Sequence, residues 1–254
     1  MDISISSKIN RLLSDGTYGG LFFSEWLDRM GYSAQLIKRY RESGWLESLT
    51  SGVMFRKSEK LSALAAVHSF NRQTEKKVRI AAHSALELHG FSHYIPMGKP
   101  KLIVSFDPFK PGKWVKSGKF DMSITPFSTG IFKNPMTQIL SKDNLELRVS
   151  APEQAFMECL HLVPSHYNYM DLYYLMEQLT SLDPERVQKA LENTSSQKIK
   201  RMFLYMAEKA CHYWFDLLDM NALGISNSKL QLVENGSYVS KYRITVPKEL
   251  HDYE

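Results

Sequence analysis

Residues 21–57 read LFFSEWLDRMGYSAQLIKRYRESGWLESLTSGVMFRK, and this stretch decides the fold of the chain. Its first part predicts a short helix over Glu25–Met30, because Ser24 is a good N-terminal cap and Gly31 supplies a left-handed residue at the end. Apolar residues at helical spacing give this helix one apolar face. They are Trp26, Leu27 and Met30.

A second helix is predicted over Ala34–Ser43, with Ser33 as its cap and Gly44 as its end. Its apolar stripe continues into Trp45, which we therefore expect in the core. The members of this stripe within the helix are Leu36, Ile37 and Tyr40. The opposite face of the helix is polar and basic.

The end of the stretch alternates like two strands, Trp45–Leu49 and Val53–Arg56, around the turn signal Thr50-Ser51-Gly52. One more helix, beginning at Ser6 or Ser7, completes a three-helix core. Helix, turn, helix and hairpin in this order are typical of a winged helix-turn-helix, whose second helix enters a major groove.

Polar and basic residues of the second helix and the hairpin exit are the predicted DNA contacts. Gln pairs with adenine and Arg with guanine in a major groove, while Lys and Arg also neutralise phosphates. The solvated face of an ordinary amphipathic helix has the same pattern, but its place inside a winged helix favours DNA. The predicted nucleic-acid-binding residues are Ser33, Gln35, Lys38, Arg39, Arg41, Arg56 and Lys57.

The rest of the chain predicts an α+β protein of two domains. Residues 1–90 form the winged helix-turn-helix domain, with its core at 1–57 and linking helices at Leu61–Arg72 and Ala81–His89. Residues 91–254 form a larger mixed sheet-and-helix C-terminal domain. Its predicted strands are Lys101–Phe106, Phe120–Thr125, Leu145–Val149, Lys229–Val233 and Tyr242–Val246, with a helical turn at Pro111–Val115.

The predicted helices of the C-terminal domain begin with clear start signals. Ser150-Ala151-Pro152-Glu153 has the pattern of a capping box with proline at the first helical position. Asp183-Pro184 caps a later helix in the same way. A helix over Lys198–Ala210 places Ile199, Met202, Phe203 and Met206 inward and Lys198, Arg201 and Glu208 outward.

A second basic surface is predicted in the region from residue 95 to 150. Nine Lys and Arg stand there against four acids, so a basic surface continuing from the wing is one interpretation. Lysines kept in loops for solubility are the alternative. The possible members of this surface are Lys99, Lys101, Lys113, Lys116 and Lys119.

Composition favours an ordinary globular protein of the cytoplasm. The chain is 43% hydrophobic and 23% charged, and its formal charge of +5 is compatible with nucleic acid without establishing it. No stretch approaches the roughly 18–20 apolar residues of a membrane span, and the N-terminus lacks the apolar segment of a signal peptide. Two cysteines, Cys159 and Cys211, fit a reducing compartment.

No catalytic, metal or cofactor site is predicted. Asp121 and the Glu146–Arg148 segment resemble a nuclease-like carboxylate pair, but Arg148 stands where a lysine base is expected and its charge is fixed. Cys159 with His161 and Cys211 with His212 lie too close along one helix to face one metal ion. A group of three histidines, His83, His89 and His93, lacks acidic partners at matching spacing.

Six segments in order along the chain resemble the AbiEi family, the antitoxins of type IV toxin–antitoxin systems. They are SKINRLL at 7–13, SGWLE at 43–47, ALELHG at 85–90, LRVSAPE at 147–153, IKRMFLYMAE at 199–208 and KYRITVP at 241–247. The resemblance implies a winged helix that binds inverted repeats in its promoter DNA and represses its own operon, which takes part in abortive infection by phage. It also implies a C-terminal domain that neutralises a nucleotidyltransferase-like toxin, without a stable complex between the two proteins.

Two other function classes stay open at this stage. One is an enzyme whose second domain acts on nucleic acid or on the toxin, which would show turnover abolished by Asp121→Asn or Glu146→Gln. The other is a protein that sequesters the toxin directly, which would co-purify with it in a stoichiometric complex.

Overall fold

The computed structural model describes residues 3–91 and 98–253. The contacts between residues divide the chain into two compact units. The first comprises Met1–Ile80, Pro96–Ser128 and Ile139–Arg148, and the second comprises Ala81–Ile95, Thr129–Gln138 and Val149–Glu254. These units interleave along the chain. The division into residues 1–90 and 91–254 stays a prediction about separate folding domains.

The first unit begins with three helices and a small antiparallel sheet. The elements are α1 (Ile3–Asp15), β1 (Phe22–Phe23), α2 (Ser24–Arg29), α3 (Ala34–Glu42), β2 (Leu46–Thr50) and β3 (Val53–Arg56). The strand order is β1-β3-β2. This is the predicted succession of helices and hairpin, with β1 as an additional short strand.

Local signals at the helix ends differ in how well they predict the structure. Ser33 caps α3 as predicted, because its Oγ accepts a hydrogen bond from the Leu36 N–H at 3.3 Å. Gly31 and Gly44 follow α2 and α3 with φ of +80° and +79°, the left-handed conformation that ends a helix. Ser24 does not cap α2, since it is already helical and its N–H donates to the Gly52 carbonyl at 2.9 Å.

One cluster of buried side chains joins α1, α2, α3 and the sheet. Its buried members are Ile9, Leu12, Phe22, Leu27, Tyr32, Tyr40, Leu46 and Met54. The prediction that Trp45 is part of the core is wrong, because this side chain is 50% exposed. The helix stripe ends at Gly44, and the strand alternation that follows turns Leu46 inward and Trp45 outward.

The remainder of the first unit is a helix and most of a five-stranded sheet. The elements are α4 (Ala63–Gln73), β4 (Arg79–Ile80), β5 (Lys101–Ser105), a 3-10 helix (Lys113–Lys116), β6 (Ser123–Phe127), β7 (Thr137–Lys142) and β8 (Leu145–Ser150). The strand order is β6-β5-β4-β8-β7, with β5 and β6 parallel. Strands β4 and β7 were not predicted.

The second unit is mainly helical. Its elements are α5 (Ala82–Leu88), α6 (Pro152–His161), α7 (Tyr169–Gln178), α8 (Pro184–Asn193), α9 (Gln197–Lys209), a 3-10 helix (Tyr213–Leu217), β9 (Leu230–Gln231), β10 (Ser237–Val239), β11 (Ile244–Val246) and α10 (Lys248–Asp252). The three strands form a sheet of order β10-β11-β9. In the parts of the chain that the structure describes, no helix is long and apolar enough to cross a membrane.

Two predictions for the second unit are corrected. Helix α6 begins at Pro152 as predicted, but its N-cap residue is Ala151, and no side chain caps the helix. The Ser150 hydroxyl instead donates to Glu158 at 3.2 Å. Arg201, predicted to face outward, is fully buried, because its guanidinium donates to backbone carbonyls of the segment that follows α9. Asp183 caps α8 as predicted, accepting from the Glu185 N–H at 2.9 Å.

Candidate nucleic-acid interface

The outer face of α3 combines a glutamine with exposed cations. Gln35, Lys38, Arg39 and Arg41 are all exposed, while Tyr40 on the opposite side is buried in the cluster. Lys38 lies 3.7 Å from Glu42, but both side chains are solvated, so this pair holds Lys38 only weakly. Among the described residues, none bonds the Arg39 guanidinium. This face therefore presents hydrogen-bond donors that are free to bind an external partner.

Ser33 and Arg41 connect this face to its surroundings. The Ser33 hydroxyl is engaged with the first turn of α3, so its contribution is to fix where the helix begins. Arg41 Nη1 donates to Ser48 Oγ on β2 at 3.3 Å, which places this guanidinium beside the hairpin. The remaining donors of Arg41 stay available, because a guanidinium carries five N–H groups.

Arg56 and Lys57 follow each other at the hairpin exit but lie in different environments. Lys57 is exposed. Arg56 is almost buried: it pairs with Glu59 at 2.6 Å and donates to the carbonyls of Gly16, at 3.0 Å, and Leu13. The Arg56 guanidinium thus joins the end of α1 to the hairpin exit through these hydrogen bonds. The structure does not bring it to the outer face of α3.

Trp45 is a candidate residue that the sequence analysis placed elsewhere. Its half-exposed ring lies where α3 ends and β2 begins, and its carbonyl accepts from the Lys57 N–H at 3.3 Å. The signal that identifies it is its position between the helix-ending Gly44 and the inward Leu46. An exposed aromatic ring at this position adds contact area to a nucleic-acid surface.

Two of the five lysines of the second basic surface lie against the hairpin. Lys119 Nζ is 2.7 Å from Glu47 on β2 and lies 5.2 Å from the centre of the Phe55 ring on β3. Lys113 lines a cavity of about 590 Å³ together with the hairpin turn around Ser51. The other three are also exposed: Lys99, which donates to the Gly118 carbonyl at 3.2 Å, Lys101, which has a partner of its own, and Lys116.

Of the two nuclease-like acids, Asp121 has a structural role through its carboxylate and Glu146 through its backbone. Asp121 Oδ1 accepts from the N–H groups of Ala63, at 2.7 Å, and Met122, at 2.8 Å, so it caps α4. The backbone of Glu146 is hydrogen-bonded to the His68 ring. Within residues 3–91 and 98–253, no three His, Cys, Asp or Glu side chains are grouped to hold a metal ion.

The described histidines of residues 83–93 have partners within the protein, and Cys159 is buried while Cys211 is exposed. The prediction that these histidines lack an acidic partner is wrong for His83, which lies 3.3 Å from Glu87 one helical turn later. His89 Nε2 donates to the Ser150 carbonyl at 3.0 Å. Burial lowers the pKa of His89 and raises the pKa of the buried Cys159 thiol well above its usual value. His93 lies outside the described residues.

Comparison with known proteins gives the family and the fold. The model of the AbiEi antitoxin N-terminal domain matches residues 5–97, and the model of the transcriptional regulator AbiEi antitoxin of type IV toxin–antitoxin systems matches residues 109–247. No curated protein sequence is significantly similar to the chain. The crystal structure of the RV2827C protein from Mycobacterium tuberculosis superposes with a TM-score of 0.59 at 13% identity, covering 95% of this chain and 90% of that one. That likeness shows a shared fold, and the family models establish that this chain belongs to the AbiEi antitoxins of type IV toxin–antitoxin systems, a family of transcriptional regulators.

Proposed function

We propose that this protein binds double-stranded DNA upstream of its own gene through α3 and represses its own toxin–antitoxin operon. The observation that carries the proposal is the exposed Arg39 guanidinium, which no described residue bonds, on a helix capped by Ser33 and held by the buried cluster. A rigid helix with free donors is what reading base edges requires. The family assignment supports the same function.

Each exposed side chain of the interface has a role that follows from its chemistry. Arg39 and Gln35 lie one helical turn apart, so both enter the groove together and read guanine and adenine edges. Lys38, Arg41 and Lys57 neutralise phosphates on either side. We leave Arg56 out of the interface and assign it to holding α1 and the hairpin exit together.

The second basic surface extends this interface in our proposal. Lys113 and Lys119 lie against the hairpin, so DNA that contacts the hairpin passes close to both. Lys119 already pairs with Glu47, which reduces its attraction for phosphate. Inverted repeats place two copies of the protein on one promoter.

We further propose that residues 91–254 carry the antitoxin activity, acting on a nucleotidyltransferase-like toxin without a stable complex and in the cytoplasm. The support for this part is the family to which residues 109–247 belong. Its test is rescue of growth, when the neighbouring toxin gene is expressed, by the full-length protein and by its Lys38→Ala/Arg39→Ala variant, which is expected to lose DNA binding and to keep the antitoxin activity. A stoichiometric complex isolated from cells would replace this proposal with direct sequestration.

The experiment for DNA binding is a fluorescence-anisotropy titration of the duplex immediately upstream of the gene, with a scrambled duplex of equal length beside it. The variants are Lys38→Ala/Arg39→Ala and a matched control, Lys189→Ala/Lys248→Ala, which removes the same charge from exposed positions of the second unit. We expect the α3 variant to lose specific binding and the control to retain it.

Repeating the titration at two salt concentrations tests whether phosphate contacts contribute to the affinity. If about 6–10 phosphate contacts form, affinity falls roughly 10³-fold or more between about 50 and 200 mM salt, because neutralised phosphates release their counterions. Equal affinity for both duplexes, or an unchanged titration with the α3 variant, would contradict the proposal.

A further inference from the structure

A second concave site lies in the first unit, away from α3. One wall is the outer face of α4 with the residues just after it, and the other wall is the β7–β8 hairpin. The cavity has a volume of about 630 Å³, within the range of small-molecule sites. Its lining residues are His68, Asn71, Arg72 and Lys77 from the first wall and Ile139, Asn144, Glu146 and Arg148 from the second.

The hairpin turn fixes which residues face the cavity. Asp143 and Asn144 have φ of +51° and +61°, the conformation of a two-residue turn of type I′. Such a turn pairs Lys142 with Leu145 and puts Ile139 opposite Arg148 on one face. Residues of the other face point away, and Leu147 among them is fully buried. The wall of the cavity is therefore a defined face of a regular hairpin.

The position of the two walls is held by one histidine. His68 Nδ1 lies 3.0 Å from the carbonyl oxygen and 3.2 Å from the amide nitrogen of Glu146, so one hydrogen bond, whose direction depends on the ring tautomer, joins α4 to the backbone of β8. Asn71 is likewise engaged, because its amide donates to and accepts from the backbone of Val78. His68 and Asn71 therefore hold the walls of the cavity in place, and other lining residues remain available to bind a ligand.

The charge of the cavity is positive. The lining contains three cations, Arg72, Lys77 and Arg148, and one acid, Glu146. Within the described residues, no ion pair joins Glu146 to any of the three. Arg72 uses one donor on the Asp15 carbonyl, and Lys77 uses two on the carbonyls of Asn71 and Thr74. Since a guanidinium has five N–H groups and an ammonium three, donors remain on all three side chains.

The other lining groups suit the remaining parts of a nucleotide. Ile139 is 64% exposed, and its side chain offers an apolar contact for a base. Asn144 has an amide with no partner among the described residues, and the Glu146 carboxylate accepts hydrogen bonds from sugar hydroxyls or base N–H groups. A duplex backbone would use the cations but would leave this apolar and acidic part of the cavity without a role.

We propose that the cavity between α4 and the β7–β8 hairpin binds a free nucleotide, with its phosphates on Arg72, Lys77 and Arg148 and its base against Ile139. The site is independent of the DNA-binding face of α3. Bidentate Arg–phosphate contacts are the strongest interactions available here, so the phosphates contribute most of the affinity.

The test is isothermal titration of the full-length protein with ATP and with adenosine, which share base and sugar and differ in the phosphates. We expect ATP to bind at least about tenfold more tightly than adenosine, because of the charge-assisted contacts. Titrations with GTP, CTP and inorganic triphosphate then report how much the base contributes. ATP binding no tighter than adenosine binding would overturn the proposal.

Three variants locate the binding. Arg148→Gln removes one cation, and Asn144→Asp adds a negative charge at a turn position that aspartate tolerates, so both are expected to weaken ATP about tenfold. Lys142→Gln is the matched control, since it removes a charge from the opposite face of the same hairpin. Equal effects of the three variants would contradict the site. The proposal also fails if the first two variants weaken only the promoter duplex, because the cavity would then belong to a DNA interface.

Discussion

The tripeptide Ile-Lys-Arg occurs in two helices of this chain and has opposite roles in them. In α3 it is Ile37-Lys38-Arg39, and both basic side chains are exposed. In α9 it is Ile199-Lys200-Arg201, and both basic side chains are buried. The helices have similar amphipathic patterns, so the difference comes from what each helix packs against.

Around α9, the irregular segment that follows the helix supplies carbonyl oxygens in place of acids. Lys200 donates to the Leu223 carbonyl at 2.6 Å, and Arg201 donates to those of Ser226, at 2.6 Å, and Ser228, at 2.7 Å. Buried carbonyl groups outside regular structure need such donors. A basic residue on an amphipathic helix therefore indicates a binding surface only where no loop covers it.

The largest expected effect is on the α9 side of this comparison. Arg201→Met should lower the free energy of unfolding by roughly 3–5 kcal/mol, because several buried carbonyls lose a charged donor at once. Arg39→Met, the same change in the other tripeptide, should alter it by no more than about 0.5 kcal/mol. Urea unfolding followed by circular dichroism measures both. Similar losses for the two variants would break the comparison.

The next effect is on the α3 side. Arg39→Ala should weaken binding to the promoter duplex by about 1–3 kcal/mol and relax the preference at one base pair, if this side chain reads a guanine. Competition titrations with single-base variants of the duplex measure the change. A uniform loss on every duplex would instead make Arg39 a phosphate contact and move the base reading to Gln35.

A smaller effect is expected from three buried or half-buried histidines of the second unit when the pH is lowered. Burial lowers the pKa of His89, His161 and His212, so the unfolded chain takes up protons more readily than the folded one. Their contribution to stability is complete above the unfolded pKa of about 6.5 and is lost as the pH falls through the lower folded values. Thermal unfolding between about pH 7.5 and 5.5 should therefore show a falling Tm.

A matched variant isolates one of these histidines. His212 Nε2 donates to the Met176 carbonyl at 2.7 Å, and His212→Gln keeps a donor there without a titrating group. We expect the variant to show a shallower fall of Tm than the wild type. Burial raises the pKa of Glu153, which acts in the opposite direction at lower pH, so the difference between variant and wild type is the informative quantity.

The smallest effect concerns the lysine that joins the second basic surface to the hairpin. Lys119→Gln removes an exposed pair with Glu47 and a cation–π contact with Phe55, together worth about 0.5–1 kcal/mol at most. Chemical denaturation measures this change. If DNA affinity falls in parallel at low salt, Lys119 also contacts phosphate. A loss of stability as large as that of Arg201→Met would contradict its assignment as a surface residue.

Local signals predicted most of the helices, though not α10, and they did not predict the contacts that span the chain. Ser33, Gly44 and Asp183 act within a few residues of their own helices, and they are found as predicted. Strand β4 contains two residues, too few to show any alternation. The Arg56 guanidinium donates to carbonyls about forty residues earlier in the chain. No local sequence pattern predicts such a contact.

The most direct test of the central claim asks whether the outer face of α3 touches DNA. A photoreactive benzophenone side chain replaces Gln35 in one protein and the exposed Lys189 of α8 in another, and each is irradiated with the upstream duplex. We predict a crosslink from position 35 that the unlabelled duplex removes by competition and a scrambled duplex does not, with none from position 189. Absence of the crosslink at position 35, or equal crosslinking from both positions, would contradict the account.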